Sequence, residues 1–282
     1  MIRITPTTSD TLREHGRQRW NVRAARRTER NRGARQLRIK SNIWSQIKPV
    51  LAKRQLEKCG YCERWLGTDG VEFDVDHFRP KSQVDSWPSP TGYPADCGGA
   101  ASSGYYLLAY NVENYVVACL SCNRTYKKTY FPTAQSRRLD DASAADLSAE
   151  LPYLINPADP NERDPEELIG WNGVIPSSSH LSGFDRERVR VTIEVFKLTR
   201  EDLLRDRYEV LCGLWSAHLL LRATNGRDQH AAEQWEVLAH HDSRHAACAR
   251  AFKRLCETDP EAAQRELNMA KSLVSRPGNL RG

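Results

Sequence analysis

Two short motifs decide the fold: residues 59–62 read Cys-Gly-Tyr-Cys, and residues 119–122 read Cys-Leu-Ser-Cys. A Cys-x-x-Cys turn brings two thiolates to adjacent corners of a tetrahedron, so two such turns complete a closed zinc site. The 56 residues between the motifs exceed the usual zinc-ribbon spacing, so we expect a folded insert that returns to the first turn. Because the closed site leaves no coordination position for water, we expect it to be structural.

The four remaining cysteines do not form a comparable pattern. Cys97 lies alone, whereas Cys212, Cys248 and Cys256 fall in helical patterns and are expected to be small core residues. A redox pair is the alternative for the Cys-x-x-Cys motifs, but neither of them lies in a βαβ setting.

Composition and length set broad limits on the class of protein. The 282 residues allow one large domain or a small domain with helical additions. No apolar stretch approaches the roughly 20 residues that span a bilayer, and the start of the chain has no apolar signal segment. We therefore expect a cytoplasmic protein without membrane contact.

Positive charge is concentrated at the start of the chain. Residues 1–58 carry 16 basic and 4 acidic side chains, whereas the remainder carries 26 and 32. A basic arm on a mildly acidic body indicates contact with a polyanion such as nucleic acid. The alternative is an ordinary solvated helical face.

A carboxylate and an imidazole stand together between the cysteine motifs, in the stretch Phe73-Asp74-Val75-Asp76-His77-Phe78-Arg79-Pro80-Lys81. His77 is the only histidine between Cys59 and Lys128, so an imidazole base in this unit must be His77. Phosphodiester hydrolysis needs such a base, a divalent metal and a polar group that orients the base. Asp76 and an asparagine carbonyl are suitable oxygen ligands for Mg²⁺ or Mn²⁺.

Neighbouring residues on a strand point to opposite faces, so Asp76 and His77 can share a substrate only if the strand ends or bulges there. The following Phe78-Arg79-Pro80 favours a strand end. Asp74 is the alternative metal ligand, although it is not adjacent to His77.

Hydrophobic patterning predicts a mainly helical chain around this unit. We expect helices over 37–58 with a break at Pro49, short strands at 63–66 and 71–75, and a helix after Cys119. Residues 84–104 read as a long surface loop, and residues 133–183 as irregular. Helices dominate afterwards, including one over about 229–257 and one that begins at Asp259-Pro260.

Taken together, these motifs resemble the HNH endonuclease family. The resemblance rests on Cys59-Gly60-Tyr61-Cys62-Glu63, Asp76-His77-Phe78-Arg79-Pro80-Lys81, residues 105–110 with Glu113-Asn114, and residues 118–124 with Lys127. It covers roughly residues 59–132 and is greatest to the HNH subunits of retron-associated and Septu-type bacterial anti-phage systems, which accompany an ATPase.

The resemblance implies a role for each motif residue. His77 would be the general base, and Asn114 would hold the imidazole or its loop in place. Asn123 would bind the catalytic Mg²⁺ or Mn²⁺ together with Asp76, while Cys59, Cys62, Cys119 and Cys122 hold structural zinc. The implied fold is α+β and mostly α: a small ββα-metal unit at 59–132, a basic helical arm at 1–58 and a mainly helical region at 133–282.

Five basic residues border this unit and are candidates for phosphate contacts: Arg79, Lys81, Arg124, Lys127 and Lys128. The chain lacks a Walker A motif, so any NTP hydrolysis would come from a partner ATPase. The sequence does not distinguish DNA from RNA as the substrate; we favour DNA and keep RNA, including tRNA, as the alternative. Two other functions remain open: a zinc-stapled module that binds nucleic acid without cleaving it, and a scaffold that docks a partner through its helices.

Overall fold

The computed structural model describes residues 1–38, 42–68, 70–140 and 147–275. Most of the described chain is helical, and two small antiparallel sheets complete it. The first helices are α1 (Ser9–Glu14), α2 (Gln18–Ala34) and α3 (Lys48–Arg54). A short 3₁₀ turn, Ile43–Ile47, precedes α3, whose first turn contains Pro49 as the sequence predicts.

The central element is a two-stranded hairpin. β1 (Phe73–His77) pairs antiparallel with β2 (Tyr115–Cys119), which puts Phe73 opposite Cys119 and His77 opposite Tyr115. All five residues of β2 are buried, as a strand covered on both faces requires. The strand predicted at 71–75 therefore exists, shifted towards the Asp-His pair, and its partner comes from 38 residues further along the chain.

The strand predicted at 63–66 is wrong. Trp65 makes only an isolated bridge to Lys58 there. The backbone of this segment closes the first cysteine turn instead: the Cys59 amide donates to the Arg64 carbonyl at 2.8 Å, and the Gly60 amide donates to Val117 of β2 at 3.0 Å. These backbone amide and carbonyl groups are therefore already hydrogen-bonded and cannot pair a strand at 63–66.

A π-helix, α4 (Ser121–Lys127), follows β2 after one residue. Cys119 therefore ends the strand while Cys122 lies in the first turn of the helix. Asn123 and Lys127 lie one turn apart on the same helix, which ends as Lys128 takes a positive φ of 51°.

The segment 84–104, which lies between β1 and β2 and is called the insert below, is well packed. Backbone hydrogen bonds in both directions join Val84 and Ala101 and so close the two ends of the insert. Inside it, Asp96 forms an almost fully buried ion pair with Arg137 at 2.9 Å. The predicted surface loop is thus a fixed structure tied to the segment beyond α4.

The second half of the described chain contains one short helix, a small hairpin and five further helices. Their bounds are α5 (Pro165–Leu168), β3 (Gly170–Asn172), β4 (Ile175–Ser177), α6 (Gly183–Val195), α7 (Glu201–Ala223), α8 (Gln229–Val237), α9 (Ala246–Thr258) and α10 (Pro260–Val274). None of the helices in the described ranges has the length and apolar character needed to cross a bilayer.

Two details of this half differ from the sequence prediction. The helix expected over 229–257 is split: α8 ends at Val237, and α9 begins after His245, which adopts a left-handed conformation with φ of 55°. The region 133–183, expected to be irregular, contains α5 and the β3–β4 hairpin. The helix at Asp259-Pro260 is present, and the Asp259 carboxylate caps it by accepting from the Ala262 amide at 2.9 Å.

Polar contacts join the first cysteine turn to the C-terminal helices. The buried Lys58 ammonium donates to the carbonyl of Ser243 at 2.9 Å. The Arg64 guanidinium pairs with Asp206 of α7 at 2.7 Å, and the Trp65 indole donates to the carbonyl of Asp242 at 3.1 Å. The position of the metal-binding turn is therefore fixed from both halves of the chain.

The close approach of the insert to the turn after β1 generates a prediction. A Cβ on Gly104 would lie 2.3 Å from the Pro80 carbonyl oxygen, which is backbone and cannot yield cheaply. We expect Gly104→Ala to lower the free energy of unfolding by about 1–3 kcal/mol, as overpacking does. Urea unfolding of the variant measures this.

Gly33→Ala is the matched control, because Gly33 lies in α2 and an added Cβ there would meet no atom within 4 Å. Alanine should stabilise that helix by up to about 1 kcal/mol. Equal stabilities for the two variants would contradict the proposed tight contact.

Candidate active site and four-cysteine centre

The four cysteines predicted to bind zinc come together. The sulfur atoms of Cys59, Cys62, Cys119 and Cys122 all lie within 4.8 Å of one another, and all four residues are buried. Cys62 and Cys119 sulfurs are 3.8 Å apart, which is about the edge of a tetrahedron with Zn–S bonds of ~2.3 Å. The donor set and its spacing therefore fit a metal such as zinc.

Arg200 compensates the charge that such a centre would carry. Four thiolates around one divalent cation leave a net charge of −2, which is costly in a buried place unless it is paired. The guanidinium of Arg200 lies 3.8 Å from the Cys122 sulfur, where α7 begins. Gly60 is needed in the same turn, because a Cβ there would meet the Val116 side chain at 2.4 Å.

Asp76, near the end of β1, is buried, and each of its two carboxylate oxygens has a hydrogen-bond partner. The Tyr61 hydroxyl donates to one carboxylate oxygen at 2.6 Å, and the Lys127 ammonium donates to the other at 3.0 Å. Burial raises the pKa of Asp76, and Lys127 and Tyr61 partly offset this. Lys127, whose side chain is fully buried, also donates to the His77 carbonyl at 3.0 Å.

His77 is held in one tautomer. Its Nε2 lies 3.1 Å from the Ala109 carbonyl oxygen, which can only accept, so Nε2 carries the hydrogen and Nδ1 carries the lone pair. The rings of Trp44 and Tyr115 flank the imidazole edge-on at 4.8 and 4.9 Å between centroids. Burial, with the nearby Lys81 charge, puts the pKa of His77 well below its usual value. His77 is therefore neutral at pH 7, the form that a base requires.

Lys81 covers the basic nitrogen. Its ammonium lies 3.4 Å from Nδ1 of His77 and 4.7 Å from the centre of the Trp44 ring. Each of the two groups is therefore in contact with one lysine: the His77 imidazole with Lys81 and the Asp76 carboxylate with Lys127.

Asn114 secures the turn after β1 without touching the imidazole. Its side-chain oxygen accepts from the Arg79 amide at 2.9 Å, and its amide donates to the Arg79 carbonyl at 3.0 Å. The Asn114 carbonyl accepts from Phe78 at 2.9 Å. Of the two functions that the resemblance implies for this residue, the geometry fits the holding of the loop.

Asn123 and Asp74 offer further oxygen atoms. Asn123 is half-buried on α4, and its side-chain amide has no hydrogen-bond partner within the described ranges. Asp74 is paired with the exposed Arg124 at 2.6 Å. The metal-ligand roles of Asp76 and Asn123 remain predictions, since Asp76 can coordinate a cation only through its remaining lone pairs or after Lys127 moves away.

The five basic residues expected to contact phosphates lie in different environments. Arg79 points inward, with its guanidinium 3.3 Å from the Glu150 carboxylate and 3.1 Å from the Leu147 carbonyl. Lys127 is buried on Asp76, and Lys81 is half-buried beside His77. Arg124 and Lys128 are exposed. Lys128 can therefore contact a phosphate without rearrangement, whereas Arg124 would first have to leave Asp74.

Sequence reasoning missed several groups that build the site. Tyr61, inside the first cysteine motif, reaches Asp76, and Trp44 lies against His77. The sequence also does not indicate that Trp65 is 42% exposed or that His245 is buried. An aromatic residue between two metal-ligand cysteines is a usable signal, whereas the Trp44 contact depends on how α2 and α3 pack.

The site thus consists of two strands and a helix that hold one acid and one imidazole beside a cluster of four cysteines. No known family profile matches the chain, and no solved structure matches it.

The chain is similar to the Septu protein PtuB of Bacillus mycoides (strain KBAB4), with 29% identity over 195 residues. The match covers 64% of this chain and 60% of the relative. This similarity relates the chain to the Septu proteins over about three fifths of that relative's length.

The four-cysteine centre predicts metal-dependent stability. We expect the purified protein to carry about one zinc ion per chain by elemental analysis, because the site is closed. Cys119→Ser should lose the ion and lower the melting temperature, since metal binding at such sites contributes folding free energy. Cys97→Ser, which removes an exposed cysteine, should keep both; equal loss in the two variants would rule the centre out.

The buried pair predicts a double-mutant rescue. Lys127→Met leaves the Asp76 carboxylate buried without its cation and should cost about 3 kcal/mol of unfolding free energy. Adding Asp76→Asn removes that charge, keeps the Tyr61 hydrogen bond and should restore at least half of the loss. Chemical denaturation measures all the variants, and a double variant no more stable than Lys127→Met would contradict the pairing.

Proposed function

We propose that this chain is a metal-dependent endonuclease of the HNH type that hydrolyses phosphodiester bonds. The observation that carries the proposal is the His77 hydrogen bond to Ala109, which leaves Nδ1 as the basic nitrogen at the end of a metal-stapled hairpin. A binding module has no need for a tautomer fixed in this way beside a buried carboxylate.

His77 would act as the general base. Its neutral imidazole would take a proton from water at Nδ1, while the Ala109 carbonyl keeps Nε2 protonated and so stabilises the imidazolium. The Lys81 ammonium lies 3.4 Å from Nδ1, and its long side chain can turn to an incoming phosphate. Substrate binding would thereby release the lone pair of the base, which couples binding to reactivity.

Asp76 and Asn123 would hold a divalent cation, Mg²⁺ or Mn²⁺, because both offer oxygen atoms. When bound, the cation would neutralise charge on the phosphate and the leaving oxygen. Lys127 neutralises Asp76 in the described structure, so it would have to yield part of that contact. Asn114 would keep the turn at Arg79, and with it His77, in position.

We further propose that the nuclease serves a cytoplasmic bacterial anti-phage system together with an ATPase subunit. The similarity to a Septu protein and the absence of a Walker A motif in this sequence support this. We favour DNA as the substrate, with RNA as an alternative that the cleavage experiment separates. The zinc-stapled binding module remains the second candidate, supported by the closed four-cysteine centre.

The test is cleavage of plasmid DNA, single-stranded DNA and tRNA with Mg²⁺ or Mn²⁺, with and without the proposed ATPase partner. We expect His77→Ala to lower the rate by about 10²–10⁴-fold, the usual contribution of a general base. His230→Ala, an exposed histidine on α8, should keep the parent rate.

Mn²⁺ binding, followed by electron paramagnetic resonance, should weaken in Asp76→Asn and Asn123→Ala. Absence of cleavage in every condition, or equal rates for the two histidine variants, would favour the binding module.

A further inference from the structure

The basic arm is a helix fixed against the candidate site. Trp20, Ala24 and Asn31 of α2 are buried and lie on one side of the helix. The Trp20 indole donates to the Ile43 carbonyl at 2.8 Å and meets the Tyr115 ring edge-on at 6.2 Å. The Asn31 amide donates to Tyr106 at 2.9 Å. The charges on α2 therefore have a defined position.

Four arginines form a stripe along this helix, next to its buried side. Arg19, Arg23, Arg26 and Arg30 follow the spacing i, i+4, i+7 and i+11, so they fall within about 60° of one another around the axis. All four are exposed. At a rise of about 1.5 Å per residue the arginine stripe is about 16 Å long.

The stripe has almost no compensating charge. Glu29 is the only acidic residue of α2, and it pairs with Arg32, which is outside the stripe, at 3.5 Å. Within the described ranges Arg19, Arg26 and Arg30 have no ion pair or hydrogen bond through their side chains, and Arg23 donates to the neutral Gln46 at 2.9 Å. Concentrated charge of this kind opposes folding, so a bound polyanion is its natural complement.

The arginine stripe leads to the imidazole. Gln46 belongs to the 3₁₀ turn that also carries Trp44, and the Trp44 ring lies against His77. On α2, the Arg27 guanidinium lies 5.3 Å from the centre of the Tyr110 ring, and the Tyr110 and Trp44 ring centres are 6.1 Å apart. A continuous line of contacts thus runs from α2 to the proposed base.

We propose that the arginine stripe of α2 binds the phosphate backbone of the nucleic acid and directs it to His77. This deepens the proposed nuclease function and rests on it. Guanidinium groups bind phosphate in a bidentate manner without reading sequence. A strand rises about 3.4 Å per nucleotide, so the stripe spans about five nucleotides.

The experiment measures binding without cleavage, in a His77→Ala background. A labelled DNA duplex of about 30 base pairs is titrated by fluorescence anisotropy between about 50 and 200 mM salt. The stripe variant carries Arg→Gln at 19, 23, 26 and 30, because glutamine keeps helix propensity. The control carries Arg→Gln at four exposed positions of the C-terminal half: Arg222, Arg227, Arg254 and Arg265.

Each phosphate contact contributes about 0.9 to the slope of log K against log salt on duplex DNA. We expect the stripe variant, which lacks four such contacts, to lose about 3.6 from that slope and at least tenfold in affinity, with the control equal to its parent. Single-stranded DNA and RNA of the same length form two further arms, and the tightest arm identifies the polymer.

The proposal fails if the stripe variant and the control keep the same slope, or if the parent binds none of the three polymers. It also fails if the stripe variant loses only its ATPase partner, because the stripe would then be a protein-docking surface. If binding depends on the stripe but the wild-type chain cleaves nothing, the proposed nuclease function is contradicted and the proposed binding surface is supported. Cleavage that needs His77 but not the stripe would do the reverse.

Discussion

The four-cysteine cluster is the constraint on which the rest of the structure depends. It joins the first turn at 59–62 to the end of β2 and the start of α4, which no local sequence propensity would bring together. Once those ends are joined, β1 pairs with β2, and the end of β1 comes against the last turn of α4, where Lys127 contacts Asp76 and the His77 carbonyl. Arg200 extends the cluster to the long helix α7, so the C-terminal half is anchored to the same point. A small unit with only ten strand residues gains a fixed shape in this way.

The acid and the base of the candidate site are each paired with a lysine. The acid is held by a buried lysine, and the base by a half-buried one, so neither group is exposed to water unpaired. Such pairing offsets the cost of burying polar groups. In the proposed nuclease, it would also keep the acid and the base unavailable until substrate binds. Lysine suits this function because its ammonium is a compact charge on a flexible stem.

Much of the site could be predicted from sequence because cysteine spacing and the Asp-His pair are chemical patterns. The cysteines meet as expected, and the helix after Cys119 is present. The prediction of a strand at 63–66 was wrong because a residue pattern cannot show backbone hydrogen bonds. The Arg64 carbonyl already accepts from the Cys59 amide, and the Gly60 amide already donates to Val117. The β2 strand was missed, since a continuous apolar run fits a buried strand or a helix equally well. The inward direction of Arg79 was equally hidden, because its partner Glu150 lies 71 residues away.

The joined ends of the insert have a consequence for how this architecture can diversify. Val84 and Ala101 are fixed to each other by paired backbone bonds, and Gly104 fixes the exit against the Pro80 turn. Exposed positions between them, such as Thr91 and Ala95, can change without altering the backbone around His77, whereas the buried Asp96–Arg137 ion pair has to be kept. The fold thereby separates the exposed surface of this stretch from the backbone that positions His77.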